Sequence, residues 1–169
     1  PAQFVSQREC PLMATVRVDA MDDGGIVLSS DCGDTLAVPP LSTASALIKV
    51  RVWSHETIAQ DAGDPAARWM ADKLALPCSS VRLVRFHPEM RRECNRLYAG
   101  ESGAHTLFAD GYPILVANAE SLRDLNARMG RVDGNAMPMN RFRPNIVLEG
   151  LPAWDEDNVE VLSVGGVVM

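Results

Sequence analysis

Ile48-Lys-Val-Arg-Val-Trp53 alternates apolar and charged side chains, and that period of two decides the fold class. On an extended chain Ile48, Val50 and Val52 share one face while Lys49 and Arg51 point away, as a half-buried strand requires. Residues 55–59 read as its return strand. On the N-terminal side, residues 13–19, 26–29 and 35–38 form three more short β segments. Asp22-Asp-Gly-Gly25 and Asp31-Cys-Gly-Asp34 break them with residues that tolerate positive φ, and Pro39-Pro40 stops the last. Short strands at this spacing predict a mainly β domain, a barrel or a sandwich.

Beyond the strands, Asp64 followed by Pro65 predicts a helix with a side-chain N-cap and proline in its first turn. Ala67, Met70 and Leu74 follow at helical spacing, Pro77 ends it, and Trp69 is expected in the core or at its rim. Residues 81–86 return to strand. Residues 88–105 are charged and irregular, a surface loop in which Arg91-Arg-Glu-Cys94 reads as a solvated segment with an inert cysteine rather than an activated thiol. Residues 108–113 form a turn and 114–117 a short buried strand. Asn118 then caps a helix that carries Leu122, Leu125 and Met129 and ends at Gly130. Residues 140–148 read as one strand. Residues 158–169 read as strand, glycine turn and strand, which looks like a domain severed midway.

The 169 residues can bury a core without a staple. A net charge of −6 argues against nucleic acid or an anionic membrane as partner, though local arginine pairs can still bind a small anion. Cys10, Cys32, Cys78 and Cys94 form no C-x-x-C pair, and His55, His87 and His105 lack ligand spacing, so no metal site is expected. No apolar run approaches about 20 residues and the N-terminus has no secretion-signal order, so a cytoplasmic monomer is expected.

One chemistry stands out. If residues 140–148 are extended, Arg141, Arg143 and Asn145 share a face, and two guanidinium groups about 7 Å apart call for an anion between them. The alternative is that both arginines reach solvent or pair with Glu149, Asp155, Glu156 or Asp157. The helix start at Asn118, with Ser121 in its first turn, offers backbone N–H groups and a hydroxyl suited to phosphate. An ordinary N-cap looks the same, and Glu120 would repel a phosphate placed close to it.

The order of Phe108-Ala-Asp-Gly-Tyr-Pro-Ile-Leu-Val116, Glu120-Ser-Leu-Arg-Asp-Leu-Asn126, Arg141-Phe-Arg-Pro-Asn-Ile-Val147 and Trp154-Asp-Glu-Asp157 resembles the MOSC family. Val5-Ser-Gln-Arg-Glu-Cys-Pro-Leu-Met-Ala14 resembles part of the β-barrel that precedes the MOSC domain in the amidoxime-reducing members. The resemblance implies a barrel-like region over residues 1–107, with a few short helices, and the start of a MOSC domain over 108–169. It implies a molybdenum-pterin cofactor held by Ser121, Arg143 and Asn145, with Arg141 and Asn118 as further candidates. The activity implied is reduction of N-hydroxylated compounds with electrons from an iron–sulfur or haem protein, or cofactor sulfur carriage. The family's metal-ligating cysteine would follow Met169, and its Lys-Ser turn and Asp-Arg pair would precede Phe4. This chain is therefore expected to be a portion of such an enzyme, inactive by itself. The alternatives are a non-catalytic anion-binding or scaffold module, and an acidic β-rich protein with no ligand.

Overall fold

The computed structural model describes residues 1–77, 80–131 and 134–168, so Cys78 and the terminal Met169 lie outside the described residues. Two compact units follow one another, Pro1–Phe108 and Ala109–Met169. The fold is mainly β.

In the first unit the chain runs through β1 (Ala2–Gln3), a 3-10 helix (Pro11–Thr15), β2 (Val16–Ala20), β3 (Ile26–Ser30), β4 (Thr35–Val38), β5 (Leu47–Val52) and β6 (His55–Asp61). Then come α1 (Gly63–Lys73), β7 (Val84–Phe86), β8 (Arg92–Glu93), α2 (Arg96–Ala99) and β9 (His105–Thr106). β2, β3 and β4 form an antiparallel meander, while β1, β5, β6 and β7 form a second sheet in that order. The predicted alternation holds in β5, where Val50 and Val52 are buried and Lys49 is exposed. A two-residue turn, Trp53–Ser54, joins β5 to β6, with Trp53 at φ +55.

The core of this unit gathers Leu28 and Val38 of the meander against Ala66, Met70, Ala71 and Leu74. These α1-side residues recur at helical spacing, so one stripe of the helix supplies the apolar lid. Trp69 is half-buried beside them, as its position predicts.

Several local expectations fail for identifiable reasons. Residues 13–15 belong to the 3-10 helix that Pro11 opens, so the strand begins only at Val16. α1 starts at Gly63, and Asp64 does not cap it. Asp61 Oδ1 accepts the Gly63 N–H at 2.9 Å instead, and Arg82 bridges Asp61 and Asp64 at 2.5 and 2.7 Å. The strand expected over 81–86 is confined to β7. The loop expected over 88–105 holds a short hairpin, with Arg92 opposite Thr106 and Glu93 opposite His105, and its Cys94 is buried.

In the second unit β10 (Val116–Asn118) leads into α3 (Ala119–Arg128). A 3-10 turn (Met139–Arg141), β11 (Ile146–Leu148), another 3-10 turn (Asp155–Asn158) and the hairpin β12 (Ser163–Val164) and β13 (Val167–Val168) complete it. β10 and β11 are parallel, with Val116, Ala117 and Asn118 opposite Ile146, Val147 and Leu148. Parallel neighbours need a long crossover, which α3 supplies. The hairpin forms at the predicted glycine turn, where Gly165 and Gly166 both take positive φ, the conformation a two-residue turn of this hand demands. β10 sits two residues later than expected, and Ile114 and Leu115 before it are exposed.

Candidate functional site

The candidate residues sort to the two ends of the β10–β11 ladder. At the C-terminal end of β10, Asn118 caps α3 as its residue type predicts, its Oδ1 accepting the Glu120 N–H at 3.0 Å. The same side chain is 1% exposed, and its Nδ2 donates to the Pro152 carbonyl at 2.8 Å and to Glu156 Oε2 at 3.0 Å. Ser121 lies beside it, donating to Glu156 Oε2 at 2.7 Å and accepting the Trp154 backbone N–H at 2.8 Å. These hydrogen bonds of Asn118 and Ser121 close a clasp between α3 and residues 152–156. Glu156 is its internal anion, placed where the helix dipole favours negative charge. Desolvation pushes its carboxyl up, but the bonds from Ser121 and Asn118 and backbone bonds outweigh this and hold it below its ordinary value.

At the other end the chain is not the strand expected over 140–148. Arg141 ends a 3-10 turn, its N–H bonded to the Pro138 carbonyl at 3.1 Å. Arg143 takes φ +55, and only Ile146–Leu148 are extended. Pro144 has no N–H to give a ladder, and pairing with the neighbouring strand begins only after it, at Asn145. The shared face inferred for Arg141, Arg143 and Asn145 therefore does not exist. Both arginines are exposed, and neither pairs with Glu149, Asp155, Glu156 or Asp157 among the described residues. Asn145 pairs with Leu115 as a strand residue would: its Oδ1 accepts the Leu115 N–H at 2.8 Å, and its own N–H donates to the Leu115 carbonyl at 2.8 Å. Its Nδ2 has no hydrogen-bond partner among the described residues.

Asn118 and Leu115 are separated by three residues of extended chain, about 10 Å. The structure brings Asn118 together with Ser121, while Arg143 and Asn145, two residues apart in the chain, stay at the other end of the ladder and do not join that cluster. The Arg143 guanidinium and the Asn145 amide carry donors of the kind a phosphate-bearing pterin accepts, and among the described residues no hydrogen bond from either group to an internal acceptor is seen. Such a group does not fit beside Asn118 and Ser121 in this arrangement, since the Ser121 hydroxyl and the Asn118 amide are already spent on Glu156 and a phosphate there would meet a carboxylate.

Sequence reasoning misses Glu156 as a structural anion, because there it enters only as one of four alternative partners for Arg141 and Arg143. It misses Asp124 and Asn126 too. The Trp154 indole N–H donates to Asp124 Oδ2 at 2.6 Å, and the Asn126 amide exchanges bonds of 2.7 and 3.1 Å with the Met137 backbone. The available signal is position: Ser121 and Asn126 flank Leu122 and Leu125 around the helix and are buried, where an amphipathic helix should carry apolar side chains.

Among the described residues no three His, Cys, Asp or Glu side chains gather as metal ligands, and no helix is long and apolar enough to cross a membrane.

Comparison with known families gives two matches. The MOSC N-terminal beta barrel domain matches residues 2–77, and the MOSC domain matches residues 103–169. Among curated relatives, mitochondrial amidoxime reducing component 2 of Bos taurus is 31% identical, over 98% of this chain and 48% of that protein. Mitochondrial amidoxime-reducing component 1 of Mus musculus is 31% identical, over 97% of this chain and 47% of that protein. Molybdenum cofactor sulfurase of Oryza sativa subsp. japonica is 26% identical, over 96% of this chain and 21% of its own. The chain spans about half the length of the amidoxime-reducing relatives it matches.

Proposed function

This chain belongs to the MOSC family, whose members named above are tied to the molybdenum cofactor, and from that premise we propose that it is part of a molybdenum-cofactor oxidoreductase acting on N-hydroxylated compounds. In such a reduction two electrons and two protons cleave the N–O bond of an amidoxime, leaving the amidine and water. The electrons come from a partner iron–sulfur or haem protein. The cofactor, when bound, supplies the redox chemistry, and the protein supplies binding and orientation.

The observation that carries this reading is Arg143. A non-glycine residue at φ +55 costs on the order of 1 kcal/mol, and such outliers persist where a site needs a side chain aimed in one direction. Arg143 is held there between a 3-10 turn and Pro144, with its guanidinium exposed and unpaired with any carboxylate among the described residues. Arg143, Asn145 Nδ2 and Arg141 are the donors for the cofactor's phosphate and pterin. Ser121 and Asn118 serve that site by fixing the segment around Trp154 rather than by touching the ligand. The relatives' names place them in mitochondria, which lends nothing to the cytoplasmic placement expected from composition.

Two measurements test the proposal. Titrating the chain with a pterin phosphate, followed by NMR, should perturb Arg143 and Asn145, and Arg143→Ala should weaken binding about tenfold or more. Indistinguishable titrations would remove Arg143 from the site. Elemental analysis of the product of the longer reading frame, expressed in a host that makes the cofactor, should find molybdenum. A metal-free product would defeat the assignment.

A further inference from the structure

The first unit holds a second feature that does not depend on the cofactor reading. β7 lies at the outer edge of its four-stranded sheet, beyond β6. Ala62 N–H donates to the Leu83 carbonyl at 3.0 Å, and His87 N–H to the Ile58 carbonyl at 3.4 Å. Bonded rungs therefore fall at Leu83, Arg85 and His87, and the N–H and C=O groups of Val84 and Phe86 face away from β6. These four groups have no hydrogen-bond partner among the described residues.

The free edge is not bare surface. A groove of about 460 Å³ is lined by residues 83–86 together with Ile26, Pro39, Leu41, Leu107 and Phe108, all within the first unit. Phe86 is buried and meets Phe108 edge-on, with ring centroids 5.2 Å apart at 77°, so that part of the lining is packed in place. Among the described residues no Asp, Glu or Lys lines the groove. The charged residue along it is Arg85, which alternation turns to the face opposite Phe86, where it stands exposed and forms no ion pair among the described residues.

An unpaired strand edge and an apolar groove are each unfavourable in water, and an added strand satisfies both at once: backbone bonds to the edge, alternate side chains into the groove. We propose that the β7 edge is a docking site for an extended partner peptide with apolar side chains at alternating positions and a carboxylate placed to meet Arg85. A small apolar molecule could fill the groove but would leave the Val84 and Phe86 amides unpaired. A second copy of β7 would set two Arg85 side chains near each other.

The probe is a blocked pentapeptide of alternating valine and threonine with one glutamate, added to the 169-residue protein. Amide hydrogen exchange by NMR reads the result. The Val84 and Phe86 amides should slow by about tenfold or more while the Arg85 amide, already on a β6 rung, keeps its rate. Val84→Pro removes an outward N–H and spares the β6 rungs, so it should weaken the peptide about tenfold with the Arg85 amide still protected. An N-methylated peptide, tested on the unaltered protein, should lose the effect. Equal binding by the N-methylated peptide would mean the groove takes apolar groups without strand pairing and would overturn the proposal. Slowing that grows with protein concentration alone would assign the edge to a second copy, and would overturn it equally.

Discussion

Asn118 and Asn145 are the same residue type at opposite ends of one parallel ladder, yet Asn118 is 1% exposed while Asn145 stands at the surface. Asn118 spends its oxygen on a helix cap and its amide on two acceptors across the second unit. Asn145 spends its oxygen on one backbone N–H, and its amide has no partner among the described residues. The end rich in internal hydrogen bonds is the structural one, and the end with leftover donors is the one proposed above for a ligand. A serine near a helix start is thus weak evidence for phosphate binding until the acceptors around it are counted.

The comparison predicts its largest effect at the closed end. Asn118→Ala removes the cap and leaves Glu156 and the Pro152 carbonyl short of a donor, costing about 3 kcal/mol in urea denaturation. A loss under about 1 kcal/mol would show that water replaces Asn118 and that the two ends are not different in kind. Acid tests the same end. Glu156 is held below its ordinary value of 4.5, so its contribution is present above that pH and is lost as pH falls through the lowered value. Glu156→Gln should therefore flatten the acid limb of the stability profile below about pH 4.5. An unchanged limb would mean that the clasp does not depend on the charge.

At the open end the sign reverses. Arg143→Gly relieves the positive φ and should stabilise the chain by up to about 1 kcal/mol while weakening pterin phosphate binding. Stability gained with affinity lost is the signature of strain kept for a ligand. A variant that loses both would place Arg143 in the fold instead.

Much of the fold is legible in the residues alone. β5 and α1 follow from periodicity, because one buried face imposes a period of two or 3.6 on any strand or helix. The cap at Asn118 follows from residue type. The geometry at Arg143 is not legible, since alternation of polar and apolar residues over 140–148 mimics a strand and only Pro144 hints that the ladder starts later. The Glu156 clasp is less legible still. It joins Ser121 to a carboxylate 35 residues away, and nothing local marks that acid among its acidic neighbours as the partner.

The smallest effect belongs to Trp154, which belongs to both descriptions. Its backbone N–H is part of the closed clasp, it takes φ +70, and its indole N–H donates to Asp124, where Arg128 also bonds at 2.5 Å and lies 5.7 Å from the ring centroid. The indole bond is the first cause of the Asp124 carboxyl lying below its ordinary value. Yet the side chain is 42% exposed, so water can take over the acceptor once the donor is gone. Trp154→Phe keeps the backbone bond and a ring for Arg128 and should cost only about 0.5–1 kcal/mol in urea denaturation. A cost near that of Asn118→Ala would mean that the outer layer of contacts, and not the buried asparagine, holds α3 to the acidic segment, and the division between a closed and an open end would have to be redrawn around Asp124.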